Sequence, residues 1–288
     1  MRRFSKLAAW VYVLPAVVLL GVFLVYPSLR TIYLSVFSSN SAEFVGLDNY
    51  AYLFTNRETL IVFRNNLLWL ALFTGMTLGM GLLIAVLTNQ VRYEAAAKAV
   101  VFIPMAVSFT AAAVIWRFMY VFQPREFTQI GVVNAIAVGL GPDPVSWIQN
   151  PSVNNYALIV AGIWMWTGFA MVVISAGLKG IPTEVLEAAR VDGANELQIF
   201  RRIVLPMLRP VVIVVAVTLV INSLKVFDLV YVMTFGNFRT DVIANRMFKE
   251  MFTFGNFGRA SAIAVVLLVT IVPMMLLNIR RFLGEERA

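Results

Sequence analysis

The chain has 288 residues, of which 60% are hydrophobic and 13% charged, with a mean hydropathy of +0.83. A soluble domain carries about 25% charged residues, so lipid rather than water is the main solvent here. The formal charge of +8 suggests nucleic acid until its placement is considered, and the absence of cysteine and histidine excludes disulfides, thiol or imidazole chemistry and Cys/His metal sites.

The N-terminus, Met1-Arg2-Arg3-Phe4-Ser5-Lys6, superficially resembles a secretory leader. Its apolar run continues to Val25 with no small-residue cleavage site, which favours an uncleaved first helix. Six runs approach the ~20 residues a helix needs to cross a bilayer: 8–27, 66–90, 99–122, 156–178, 211–233 and 260–279. Backbone groups in hydrocarbon must be satisfied within the segment, and runs of this length do so as helices rather than barrel strands. The expected fold is therefore all-α, a single membrane domain over residues 1–288 with six transmembrane helices.

With the N-terminus placed inside, thirteen Lys and Arg outside the spans fall on the inner side, from Arg2 to Arg287, and eight fall outside. That is the direction of the positive-inside rule, so both termini are expected in the cytoplasm and the basicity is a topology signal. The outer loops, about 28–65, 123–155 and 234–259, carry ordinary turn residues such as Gly46, Pro142 and Pro151. No internal repeat or separate soluble domain is evident.

In the third span, Trp116-Arg117 reads as an interface anchor. In the fourth, Trp164 and Trp166 lie away from the usual interfacial belt. Either ring can stack on the apolar face of a sugar or simply pack between helices. Met76, Met80, Met105, Met165 and Met171 read as adaptable packing.

Residues 179–209 form the one polar stretch with order in it. Gly180 ends the fourth span and Pro182 opens a helix, where its missing N–H costs little. Apolar residues at 181, 185, 188 and 189 make one face. Gly193 suits the left-handed residue that closes a helix, and Asn195 with Gln198 resembles a capping box. Leu197, Phe200 and Val204 make a second stripe, and Leu205-Pro206 stops or kinks that helix. Two short amphipathic helices at a glycine elbow, tied to two spans, can turn a push into movement of both. The competing reading is a hairpin lying on the lipid interface. The small Ala188-Ala189 pair argues against it, because small side chains admit another protein's backbone.

In the fifth span, Asn222, Lys225 and Asp228 recur at spacing three, on one side of a helix. Ionisable groups in a membrane face a cavity or one another, so they line a path or anchor helices as a Lys225–Asp228 pair. Asn222 and Ser223, deeper in the span, are the better substrate contacts.

The run Glu187-Ala188-Ala189, then Gly193, Ile203, Leu205 and Pro206, resembles without a gap the EAA signature of permease subunits of bacterial ABC importers. Gly177 to Pro182, Asp192-Gly193-Ala194, Gly46-Leu47-Asp48-Asn49-Tyr50, Pro104 and Lys225-Val226-Phe227-Asp228 are similar to the carbohydrate-uptake, maltose-permease-like branch. One departure is Gly236-Asn237-Phe238, where many relatives have Gly-Gly-Pro. The look is nearest to permeases for α-glucosides or disaccharides.

The resemblance implies a type I importer permease that moves a sugar inward. Glu187, Ala188, Ala189, Asp192, Gly193, Ile203, Leu205 and Pro206 would seat in a cytoplasmic ATPase subunit. It also implies two such ATPases, a second permease that is a paralogue, an extracytoplasmic sugar-binding protein and a bacterial or archaeal cytoplasmic membrane. The chain has no Gly-x-x-x-x-Gly-Lys-Ser/Thr loop; ATP and Mg would be held by the partners, with no cofactor and no enzyme activity here. The alternatives are an ion-coupled secondary transporter acting alone, for which repeat symmetry and an ion site are expected, or an importer of glycerol phosphate. A membrane enzyme lacks clustered intramembrane carboxylates.

Overall fold

The computed structural model describes residues 6–89 and 91–285. Arg2, Arg3 and Arg287 of the inner-side count, and the expected end of the second span at 90, lie outside the described residues.

Fifteen α-helices are present among them: α1 (Lys6–Leu20), α2 (Tyr26–Leu34), α3 (Asp48–Thr55), α4 (Arg57–Leu68), α5 (Thr74–Thr88), α6 (Glu94–Ala106), α7 (Phe109–Met119), α8 (Val132–Gly139), α9 (Asn154–Lys179), α10 (Thr183–Val191), α11 (Glu196–Ile199), α12 (Leu205–Leu224), α13 (Asp228–Thr234), α14 (Ile243–Phe248) and α15 (Phe257–Glu285). Single π turns, Gly21–Val25, Trp69–Phe73 and Phe200–Val204, join α1 to α2, α4 to α5 and α11 to α12. A fourth, Lys249–Thr253, follows α14.

Among the described residues four stretches are long and apolar enough to cross a bilayer: Trp10–Leu34, Arg57–Thr88, Asn154–Lys179 and Glu196–Thr234. The third expected span, 99–122, is not one helix. Its two halves, α6 and α7, meet at a bend of 99°. Pro104 inside α6 has no N–H for the ladder, Val107 is extended (ψ 141°), and Ser108 starts α7 by accepting a bond from Ala111 N at 3.2 Å. The sixth expected span, 260–279, lies within α15.

Two compact units divide the chain. The first comprises residues 1–60 and 246–269. From Trp10 onward its apolar helix α1 and the following π turn expose nearly all their large side chains, as expected of a lipid-facing span. Asn49 of α3 is buried and donates to the carbonyls of Ser35 and Phe37 at 2.9 and 2.8 Å, closing the chain that follows α2. Buried Glu250 pairs with half-buried Arg246 at 2.7 Å, and the Arg259 guanidinium lies over the Tyr52 ring at 3.6 Å.

The second unit comprises residues 61–245 and 270–288. Helix α9 is its axis, packed chiefly on α5, α6 and α12, with Leu158, Ala161, Ala170, Met171 and Ile174 fully buried. Of the five methionines expected to pack, Met165 and Met171 are buried, whereas Met76, Met80 and Met105 are exposed, on faces left to lipid or another subunit. At the end away from α10, amides of Asn65, Asn154 and Asn155 catch the carbonyls of Phe238, Arg239 and Asp241. They pin a loop in which Phe235, Phe238 and Arg239 adopt φ of 55°, 55° and 64°, values that bulky residues rarely take unless the surroundings hold them.

Breaking a buried ion pair by removing one partner typically costs about 3–5 kcal/mol. Replacing Glu250 with Ala is expected to lower the thermal unfolding midpoint in detergent by several degrees. An unchanged midpoint would show that the Arg246–Glu250 pair is not structural.

Candidate functional site

Within the second unit, a cavity of about 250 Å³ is lined by Trp69, Phe73, Phe109, Trp166 and Leu229 together with Asn222, Ser223, Lys225 and Asp228. Its rings form a connected set. Trp166 stacks on Phe109 at 6.2 Å, meets Phe73 edge-on at 6.5 Å, and Phe73 leans on Trp69 at 6.0 Å.

The polar wall depends on a break in the fifth span. Asn222, Lys225 and Asp228 do not share one helix side, as their spacing suggested. Helix α12 ends at Leu224 and α13 starts at Asp228. The break leaves the Ser223 and Leu224 carbonyls without helical donors, and Asn66 supplies one, its amide nitrogen 3.3 and 3.5 Å from them. The Asn66 carbonyl accepts from Ile243 N at 2.7 Å. Irregular backbone at this depth is tolerated where it is buried in protein or lines a cavity, and Lys225 and Val226 line this one.

Among the described residues Lys225 and Asp228 form no ion pair, so the anchoring pair is not formed. Trp164 is not in the cavity wall. Two residues from Trp166 on a helix, it projects to another face and meets Trp116 edge-on at 5.8 Å. Sequence reasoning missed Trp69, Phe73 and Phe109. Their signal was the four-residue spacing of Trp69 and Phe73, which the π turn adjusts.

The elbow is ordered. Gly193 has φ +83°; its N–H donates to Arg190 O and that of Ala194 to Ala189 O, both at 3.0 Å, the Schellman pattern. The capping box is complete, Asn195 N to Gln198 Oε1 and Gln198 N to Asn195 Oδ1, both at 2.9 Å. Arg190 bridges the elbow to Glu196 at 2.8 Å, a carboxylate that pushes its guanidinium pKa further up. Leu205-Pro206 does not stop the helix. The π turn Phe200–Val204 precedes the proline, and Leu205 N–H bonds Phe200 O, so the helix runs on into α12.

Two expected faces are corrected. Ala189 is buried together with Ile181 while Val185 and Ala188 are exposed, so only one of the small pair is open to a partner. Ile199 rather than Leu197 carries the second buried stripe, and Leu197 is 65% exposed. The outer surface thus presents Val185, Glu187, Ala188, Val191, Asp192 and Leu197, while Ile203 is half-buried and Leu205 and Pro206 are exposed at the root of α12. The root of α9 is fastened to α6. Glu94 accepts from Lys179 at 2.7 Å and from Lys98, which also donates to Ser175.

A helical membrane chain with an axial α9, a cavity at a broken span and an ordered glycine elbow has the type I fold of ABC importer permeases. It superposes on a bacterial ABC transporter that imports the acidic polysaccharide alginate with a TM-score of 0.80, at 25% identity and 96% coverage of each chain. The chain belongs to the family of binding-protein-dependent transport system inner membrane components, which matches residues 77–281. It is therefore a multi-pass ABC importer permease subunit. It is 55% identical to the osmoprotective compounds uptake permease protein GgtC of Synechocystis sp., over 96% of this chain and 99% of that one. It is 44% identical to the alpha-glucoside transport system permease protein AglF of Rhizobium meliloti, over 99% and 85%.

An Asn66→Leu substitution leaves the Ser223 and Leu224 carbonyls and the Ile243 N–H unpaired, each worth about 1–3 kcal/mol when buried. The expected result is a chain that inserts but unfolds at lower temperature in detergent; a wild-type midpoint would show the break is held by other contacts.

Proposed function

We propose that this chain carries a neutral sugar, a disaccharide or other α-glucoside, inward across the cytoplasmic membrane. The observation that supports this most directly is the cavity wall. Aromatic faces for the apolar side of a sugar ring lie beside an amide, a hydroxyl, an ammonium and a carboxylate that can exchange hydrogen bonds with its hydroxyls. The relative named for alpha-glucoside transport supports the same chemistry. Asn222 and Ser223 contact the sugar, Trp166 stacks on it, and Lys225 and Asp228 bond its outer hydroxyls. Trp164 packs.

Six spans with both termini cytoplasmic place the elbow in the cytoplasm. Glu187, Ala188, Asp192 and the apolar residues around them then dock in a cleft of an ATPase subunit, while Ala189, Gly193, Ile203, Leu205 and Pro206 hold the elbow's shape. Two ATPases hold ATP and Mg and drive a rigid-body change between inward- and outward-open states, and the elbow passes it to α9 and α12. A paralogous permease and an extracytoplasmic sugar-binding protein complete the importer.

Purification of the tagged chain in mild detergent from its native membrane tests the assembly. Recovery of an ATPase, a second permease and a binding protein is expected, and the folded chain alone would refute it. Gly193→Pro, whose ring cannot reach φ +83°, is expected to abolish uptake and ATPase association while insertion persists; normal uptake would count against coupling. Asn222→Leu and Ser223→Leu are each expected to reduce sugar uptake tenfold or more, the loss of a few hydrogen bonds, in assembled complexes. Unchanged uptake in both removes them from the path.

A further inference from the structure

Trp69 is 1% exposed, and its indole Nε1–H has no protein acceptor. A buried donor left unpaired is a standing penalty, and buried Trp N–H groups usually find a partner. The ring is nonetheless a wall of the cavity. The contact of the ring with α9 is made by its carbon edge. A Cβ built on Gly162 of α9 would lie 2.9 Å from Trp69 Cζ3 and 3.3 Å from the Phe73 ring. The benzo corner therefore rests on the bare backbone of α9, and the pyrrole edge, diagonally opposite, is turned away from it.

Trp69 also opens a π turn, Trp69–Phe73. Such turns are rare single insertions that recur at functional sites. This one packs on both α9 and α12, the helices that give the cavity wall Trp166, Asn222 and Ser223. The cavity is small for a ligand pocket, about 250 Å³ against the 300 Å³ or more of typical sites. At this volume a disaccharide fits only when the walls draw apart.

We propose that the Trp69 indole N–H donates a hydrogen bond to a hydroxyl of the transported sugar, and that the π turn sets its direction. This makes the second span a determinant of specificity alongside the fourth and fifth. The assignment rests on the sugar reading above. A site built to bond a hydroxyl discriminates against analogues that lack it, so it predicts dependence on one particular hydroxyl.

The test uses cells carrying the whole importer, with this chain as wild type, as Trp69→Phe, or with benzothienylalanine at 69, which keeps the ring's shape and lacks only the N–H. Uptake of labelled trehalose, sucrose and maltose is measured with the amount of chain in the membrane and its thermal midpoint in detergent. The transported sugar is then compared with its monodeoxy derivatives. For both variants the expected result is a half-saturation concentration raised about tenfold, the loss of one hydrogen bond, and for the benzothienylalanine chain a midpoint equal to or above wild type. One deoxy derivative, poor for the wild type, should be handled by both variants as well as the parent sugar. Wild-type saturation by the benzothienylalanine chain overturns the Trp69 assignment and leaves the sugar reading standing. So does a lowered midpoint in that chain, which marks the N–H as structural. Failure of wild-type cells to take up any of the three sugars overturns the sugar reading and this assignment together.

Discussion

A carbonyl freed by a helix break in hydrocarbon has no water to turn to, and the design of this chain follows from how it meets that constraint. The fifth span breaks after Leu224, and the side chain of Asn66 comes across from the second span to serve the Ser223 and Leu224 carbonyls. With its backbone served, the segment after Leu224 can leave the helix, and Lys225 and Val226 line a cavity. Elsewhere the same problem is solved locally. Ser108 caps the second half of the third span, and π turns absorb irregularity before Thr74 and before Pro206.

The elbow solves a different problem, holding the shape of two short helices with little core of their own. Gly193 supplies the one left-handed residue, the capping box fixes the start of α11, and Arg190–Glu196 spans the two helices. An exposed ion pair contributes little by itself. The stiffness comes instead from Ile181, Ala189, Ile199 and Val204, which belong to the same apolar cluster as α9 and α12. A force on Glu187 or Ala188 therefore meets a body already packed on two spans. The clamp of Glu94 on Lys98 and Lys179 extends that body to α6.

Reading the residues in order recovered much of this. The fourth span was placed to within two residues because its apolar run is uninterrupted and ends at glycine. The elbow's turn and capping box were legible because short-range hydrogen bonding sets them. The break at 225–227 was not, since Lys225 and Asp228 also fit a helix at spacing three, and the alternative depends on an asparagine more than 150 residues away in sequence. The bend at 107–108 was missed for a related reason. Pro104 is tolerable inside a membrane helix, and nothing local says that two halves will turn by 99°.

Composition, the length of the apolar runs and the motif around Glu187–Gly193 were enough to establish a helical membrane permease, because hydropathy and capping act over a few turns of chain. Which face of each helix is covered is a different matter. That Ala189 turns inward and Ala188 outward, that Trp166 meets the cavity and Trp164 does not, and that Trp69 closes its wall all depend on where α9 sits against α5, α6 and α12. Side chains two to four residues apart look alike until a neighbouring helix selects one of them, and that selection is made by packing between segments far apart in the chain.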